Sequence, residues 1–310
     1  MQIDEKTIQQ IIEETLDKFS QDTYPRADTG EIRYGNALDE PGCFDDVDEA
    51  IMSAKEAQRK LAKMTVQERG RIIRAMRDAA MEHVKYLAEL AHDETGFGRV
   101  EDKIIKNKLA IEKTPGIEDL STEAYTGDDG LTLVERAPYG VIGSITPSTN
   151  PSSTIINNSI GMVAAGNAVV FNPHPGAKKV SIETIRILNQ AIYGVSGIRN
   201  LLTTSKNPTI ETSRRIMEHE DIRLLVVTGG ESVVKVAMKS GKKVIAAGPG
   251  NPPCIVDNTA NINKAASDIV KGASFDNNIL CIAEKEVFVF RDVAKELISL
   301  MESNGCYRAS

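Results

Sequence analysis

The sequence predicts an α/β protein built on a parallel sheet, and the pattern between residues 141 and 246 carries most of that prediction. Short apolar runs of strand length alternate there with stretches of helical period. Strands separated by helices need crossover connections, which are right-handed and lay helices over both faces of a parallel sheet. The chain is also large enough to bury such a core, since 310 residues of which 41% are hydrophobic allow roughly two domains.

The first segment stands apart. Ile3, Ile8, Ile11, Ile12, Leu16 and Phe19 recur at helical spacing among charged neighbours, so residues 1–20 read as an amphipathic helix. Residues 21–43 are rich in Asp, Gly and Pro and read as a linker, leaving that helix tethered, frayed or docked. From 44 to 113 two or three packed helices are expected. Residues 46–64 carry Ala, Ile and Leu at helical intervals, and Thr65 and Glu68 stand at capping-box spacing before Ile72, Ile73, Met76 and Ala80. Glu94-Thr95-Gly96-Phe97-Gly98 interrupts the period and residues 100–113 resume it. Nothing in this helical stretch demands chemistry. Past Asp128-Asp129-Gly130 the period shortens, predicting strands over 131–135, 141–146, 168–172, 201–204, 222–227 and 243–246. Helices are predicted between them over 152–165, 177–193, 209–219 and 232–240. This is a Rossmann-like core.

Composition narrows the function classes. A net charge of −7 and the lack of a sustained basic block speak against nucleic acid as a main partner. No apolar run approaches the ~20 residues that a bilayer crossing needs, so no membrane partner is expected. Met1 is followed by acidic and polar residues, and a secretory leader is not expected. The cysteines at 43, 254, 281 and 306 are widely spaced, with no CxxC pair and no HxxxH, which predicts neither disulfides nor a metal site. A reducing, cytoplasmic setting follows, and it would keep the thiol of Cys281 available.

Cys281 is the candidate nucleophile. It ends Ser274-Phe275-Asp276-Asn277-Asn278-Ile279-Leu280-Cys281 and is expected to begin a short strand-like stretch. A thiolate beside a nucleotide site can add to a carbonyl carbon and hold it covalently; free cysteine is also among the most buried residue types, so inert packing is the competing reading. Two turns can face a nucleotide. Thr228-Gly229-Gly230-Glu231-Ser232 joins an apolar strand to a helix whose first N–H groups can meet a pyrophosphate, or it is a plain tight turn. Phe171-Asn172-Pro173-His174-Pro175 leaves its strand at the carboxyl edge, where open α/β sheets bind ligands, with His174 either structural or functional.

Those two segments belong to a larger set. Pro147-Ser148-Thr149-Asn150-Pro151, Gly166-Asn167-Ala168-Val169-Val170-Phe171-Asn172-Pro173-His174-Pro175, Gly248-Pro249-Gly250-Asn251-Pro252-Pro253 and Phe275-Asp276-Asn277-Asn278-Ile279-Leu280-Cys281 together resemble the aldehyde dehydrogenase superfamily. More narrowly they resemble its CoA-acylating branch, the propionaldehyde and acetaldehyde dehydrogenases of bacterial microcompartments. The resemblance runs from about Asp46 to the last residue. It implies a catalytic Cys281, with Asn150 and the backbone N–H of Cys281 as oxyanion donors; Asn150 also stands where a helix cap before Ser152 would sit, and both roles are compatible. Thr228, Gly229, Gly230 and Ser232 match the family's pyrophosphate-side turn. Thr146, Pro147 and Asn172 lie where the family lines its cofactor cleft, Gly248 opens the third motif, and His174 belongs to the acylating signature with its contact left open. No metal is implied. NAD is the implied cofactor and coenzyme A the implied co-substrate; because Asn172 stands where many hydrolytic relatives carry a ribose-binding Lys, NADP stays open.

The same resemblance places the general-base Glu of hydrolytic relatives at Ala247. Ala cannot activate water, whereas a CoA thiol with an unperturbed pKa near ~8.5 already supplies thiolate near neutrality. The implied sequence of events is thiolate addition to a short-chain aldehyde, hydride loss, a thioester on Cys281, and attack by CoA; a hydrolytic enzyme or an inactive nucleotide-binding, shell-targeted remnant are the alternatives. The resemblance further implies an NAD-binding domain over 44–261 with an oligomerisation-type strand excursion at 131–149, a partial catalytic domain over 262–310 with a strand at 286–290 and a final helix, and a homo-oligomer at full length. Residues 1–20 would dock on a microcompartment shell protein. Family members extend well past the last residue, so a C-terminally truncated chain with an open aldehyde pocket is expected.

Overall fold

The computed structural model describes residues 41–309; the helix expected over 1–20 and all but the end of the expected linker lie outside them. The fold begins with a short edge strand, β1 (Cys43–Phe44), followed by four helices: α1 (Val47–Leu61), α2 (Val66–Glu82), α3 (Val84–Thr95) and α4 (Val100–Lys113). Their ends follow local chemistry. Asp46 caps α1 through the amides of Asp48 and Glu49, and Thr65 and Glu68 form the expected capping box on α2. The stretch after Thr65 is two helices rather than one, because His83 leaves helical geometry and bonds its ring to the carbonyl of Ala79. Gly96, at φ 67, ends α3 in the left-handed conformation that glycine adopts without a Cβ penalty.

A hairpin of β2 (Glu123–Gly127) and β3 (Gly130–Val134) comes next, antiparallel and exposed along both strands. The sequence pattern anticipated only its second strand; the first carries one large β-favouring side chain, Tyr125, and buries no face. The core then alternates: β4 (Val141–Thr146), α5 (Pro151–Ala164), β5 (Ala168–Pro173), α6 (Lys178–Ser196), β6 (Leu202–Ser205), α7 (Ile210–Glu218), β7 (Ile222–Thr228), α8 (Glu231–Met238) and β8 (Lys243–Ala247). All these strands pair in parallel, in the order β1-β6-β5-β4-β7-β8. The α/β parallel-sheet prediction therefore holds for the strands and helices from β4 to β8.

Strands β4 and β5 are buried along their whole length, as the continuous apolar run of β5 requires. Phe171 at the middle of β5 is fully buried in a core it shares with Ile51, Leu61, Met76 and Ile155. Gly143 in β4 lets α7 approach: a Cβ there would lie 2.6 Å from the Ile216 side chain. A second, smaller core involves β9 (Pro253–Val256), α9 (Ile262–Ser274), β10 (Glu286–Val289) and α10 (Arg291–Ser303), with β9 and β10 paired in parallel over Val256, Ala266, Ile269 and Leu297.

Candidate active site

Sheet order fixes where a ligand can bind. From β4 the chain adds β5 and β6 on one side and then β7 and β8 on the other, so the strand order reverses beside β4. Open parallel sheets bind ligands at such a switch point, beyond the carboxyl ends of the strands. A cleft of about 660 Å³ lies there, lined from the ends of β4, β5, β7 and β8 and from the segment carrying Cys281.

At the end of β4, Thr146 is 2% exposed and its Oγ1 is buried without a hydrogen-bond partner, next to Pro147 on the cleft wall. Asn150 precedes α5 but makes no side-chain cap there, although Pro151 at the first helical position leaves the next two amides open to one. The cap expected of Asn150 is therefore absent. Its Oδ1 instead accepts a 2.6 Å hydrogen bond from Lys106 Nζ, while its Nδ2 donates to Thr149 Oγ1 at 3.2 Å.

Beyond β5, Asn172 reaches the cleft wall with its amide committed elsewhere: Nδ2 donates to the Thr209 carbonyl at 3.2 Å and Oδ1 accepts from Thr212 Oγ1 at 2.6 Å. It serves to dock the start of α7. His174 is exposed at the rim, where its Nδ1 accepts from the Gly176 amide at 3.1 Å in a short 3-10 turn. Thr228, Gly229 and Gly230 line the cleft between β7 and α8, and no side chain caps the α8 amides. Such a bare helix start presents N–H groups to an anion, and the partnerless Thr146 hydroxyl adds a polar contact beside it. The cleft thus fits a dinucleotide. Ser232 is the exception among the expected cofactor residues: it lies in the first turn of α8, exposed, and outside the cleft lining.

From β8, Ala247 and Gly248 bring the backbone round to face Cys281. The strand expected to start at Cys281 does not exist; Cys281 and Ile282 form a turn and β10 begins at Glu286. The Ala283 amide donates to the Leu280 carbonyl at 3.3 Å and closes a turn over Cys281 and Ile282, downstream of Asp276, Asn277 and Asn278, which all adopt positive φ, between 49° and 59°. The loop is held by Lys285, whose Nζ donates to the carbonyls of Leu280 at 3.0 Å and Asn278 at 3.2 Å, and by Gly250, where a Cβ would collide with the Cys281 carbonyl oxygen.

Sequence reasoning passed over the polar face beneath this loop. Lys103, Lys106, Asp102 and Asn107 of α4 are all buried, and Asp276 is fully so. Asp276 pairs with Lys106 and sits 3.6 Å from Lys103; its Oδ1 accepts from the Arg99 amide at 2.7 Å and its own N–H donates to Asp102 at 2.8 Å. Burial pushes the pKa of both lysines down, and Asp276 partly offsets it. The only signal available was the i, i+3 spacing of Lys103 and Lys106, which reads as a solvated face because lysine is seldom buried.

A cysteine, an amide and an uncapped helix start line one cleft, groups that can serve covalent carbonyl chemistry beside an anionic ligand. The chain belongs to the aldehyde dehydrogenase family, whose description matches residues 42–304. It is 50% identical over 301 residues to an acetylating acetaldehyde dehydrogenase of Escherichia coli, covering 97% of this chain and 62% of that one. Among solved structures, a propionaldehyde dehydrogenase from the Clostridium phytofermentans fucose utilisation bacterial microcompartment is 51% identical with a TM-score of 0.85, over 87% of this chain and 62% of its own. A Rhodopseudomonas palustris propionaldehyde dehydrogenase with bound propionyl-CoA is 48% identical, also with a TM-score of 0.85, over 89% of this chain and 61% of its own. The chain thus spans under two thirds of the length of these relatives.

Proposed function

We propose that this protein is a CoA-acylating aldehyde dehydrogenase that converts a short-chain aldehyde, of the propionaldehyde or acetaldehyde class, to its acyl-CoA. The observation that carries the reading is Ala247: it lines the same cleft as Cys281, and among the described residues lining that cleft there is no carboxylate to activate water. In the proposed sequence, the Cys281 thiolate adds to the carbonyl carbon and Asn150 Nδ2, with the backbone N–H of Cys281, donates to the oxyanion. NAD, when bound, supplies the hydride acceptor; the uncapped start of α8 after Gly230 and the hydroxyl of Thr146 are the groups proposed to hold it. The thioester then left on Cys281 is attacked by the CoA thiol, which restores Cys281 and releases acyl-CoA. No step asks for a base to deprotonate water. With no carboxylate on the described wall to repel a second phosphate, NADP belongs in the same assay as NAD.

The test is NADH formation from propionaldehyde and acetaldehyde, with and without CoA, using the whole chain and Cys281→Ala. CoA-dependent NADH that vanishes in the variant is the expected result; equal NADH without CoA would mean hydrolysis instead. Microcompartment enclosure through residues 1–20 forms part of the proposal. Deleting those residues is expected to leave NADH formation unchanged and to abolish co-localisation with shell protein in cells.

A further inference from the structure

An asparagine amide is ambiguous as an oxyanion donor, because one end donates and the other only accepts, and a half-turn about its last bond exchanges them. At Asn150 this ambiguity is removed by one contact. An ammonium group has donors and no acceptor, so Lys106 Nζ, 2.6 Å away, can face only Oδ1. The Nδ2 end is then the one left to donate, and Thr149 Oγ1 at 3.2 Å takes one of its two hydrogens.

Lys106 is itself fixed. It pairs with Asp276, fully buried and five positions before Cys281 in the same loop. Asp276 is clamped in turn by the Arg99 amide and by Asp102, and Gly98 leaves no room for a Cβ against its carboxylate. A single buried ammonium thus bridges the amide on one side of the cleft to the loop carrying the thiol on the other. Packing alone does not call for this arrangement, since a buried ion pair replaced by apolar groups of similar volume is often no less stable.

We propose that Lys106 is a positioning residue: held by Asp276, it sets the orientation of the Asn150 amide so that Nδ2 is presented to the oxyanion formed at Cys281. The inference rests on the acyl-transfer reading of Cys281 and Asn150 given above. Two reactions of the same thiol separate orientation from general damage. Acylation of Cys281 by propionyl-CoA passes through a tetrahedral oxyanion; alkylation by iodoacetamide displaces iodide at carbon and forms none.

Both rates would be followed by mass spectrometry of the peptide carrying Cys281, because three other cysteines can also be alkylated, for the whole chain, Lys106→Met, Asn150→Ala and the double variant. Removing one oxyanion donor typically costs ~10²–10³ in rate, so losing its alignment in Lys106→Met is expected to slow acylation about ten- to a hundredfold while alkylation stays within about twofold. In the Asn150→Ala background the same change is expected to add nothing. Lys106→Arg, which keeps donors and no acceptor, is expected to recover most of the acylation rate, and it carries the test if Lys106→Met does not fold. A parallel fall in acylation and alkylation, or an undiminished cost of Lys106→Met on top of Asn150→Ala, overturns the proposal. A wild-type thiol that alkylates but never acylates overturns the acyl-transfer reading first, and the positioning role falls with it.

Discussion

At Gly250 the segment after β8 packs directly against the backbone of Cys281. A Cβ there would meet the Cys281 carbonyl oxygen and lie 3.4 Å from the Cys281 Cβ, atoms of a loop already braced by Lys285. Gly250→Ala must therefore displace the nucleophile loop. Overpacking of this kind costs typically 1–3 kcal/mol, and the expected outcome is a lower urea midpoint together with an altered iodoacetamide rate at Cys281. An alanine variant with wild-type midpoint and alkylation rate would show that the loop yields freely. Asn172 makes a related point from the other side of the cleft. Its position suggested a cofactor contact, yet both ends of its amide are used to dock α7.

Helices and strands divide sharply in how far the sequence exposed them. Strands β4, β5 and β7 were legible because a strand covered on both faces must be apolar nearly throughout, and Val169, Val170 and Phe171 meet that demand without interruption. Emptying its centre with Phe171→Ala is expected to cost about 3–5 kcal/mol, read as a shift in urea midpoint at unchanged slope. Capping chemistry is local too, so the Thr65–Glu68 box was visible in advance. Where partners are distant in sequence the reading stopped. The inward face of α4 went unread because Asp276, 170 positions after Lys106, is what makes its burial tolerable. The turn at Cys281 was hidden for the same reason: its left-handed lead-in depends on Arg99 and Asp102 gripping Asp276. Of the candidate site, the residues at strand ends were legible and the charged scaffold beneath them was not.

At the scale of the whole molecule, ion pairs within the helical layer and at the start of β7 set how the fold responds to acid. Asp221, just before β7, pairs with Lys55 of α1, and Asp48 of α1 pairs with Arg215 of α7; within α6, Glu183 pairs with Arg186. Hydrogen bonds from these cations hold all three carboxyl groups below their ordinary pKa. A carboxylate with a depressed folded pKa adds stability that is fully present above its unfolded pKa and is lost as pH falls through the folded one. The buried lysines act in another window. Burial depresses the pKa of Lys103 and Lys106 below the ordinary lysine value, so their penalty is fully present below the folded pKa and eases as pH rises through it. An acid limb must then come from the carboxylates. The urea midpoint is expected to hold between pH 7 and 5 and to fall from there towards pH 3, with Asp221→Asn shallower than wild type over that fall. Asp48→Asn is expected to change it less, because its partner Arg215 is more than half exposed and water screens the pair. A wild-type midpoint as high at pH 3 as at pH 7 would leave these three pairs without a net part in stability.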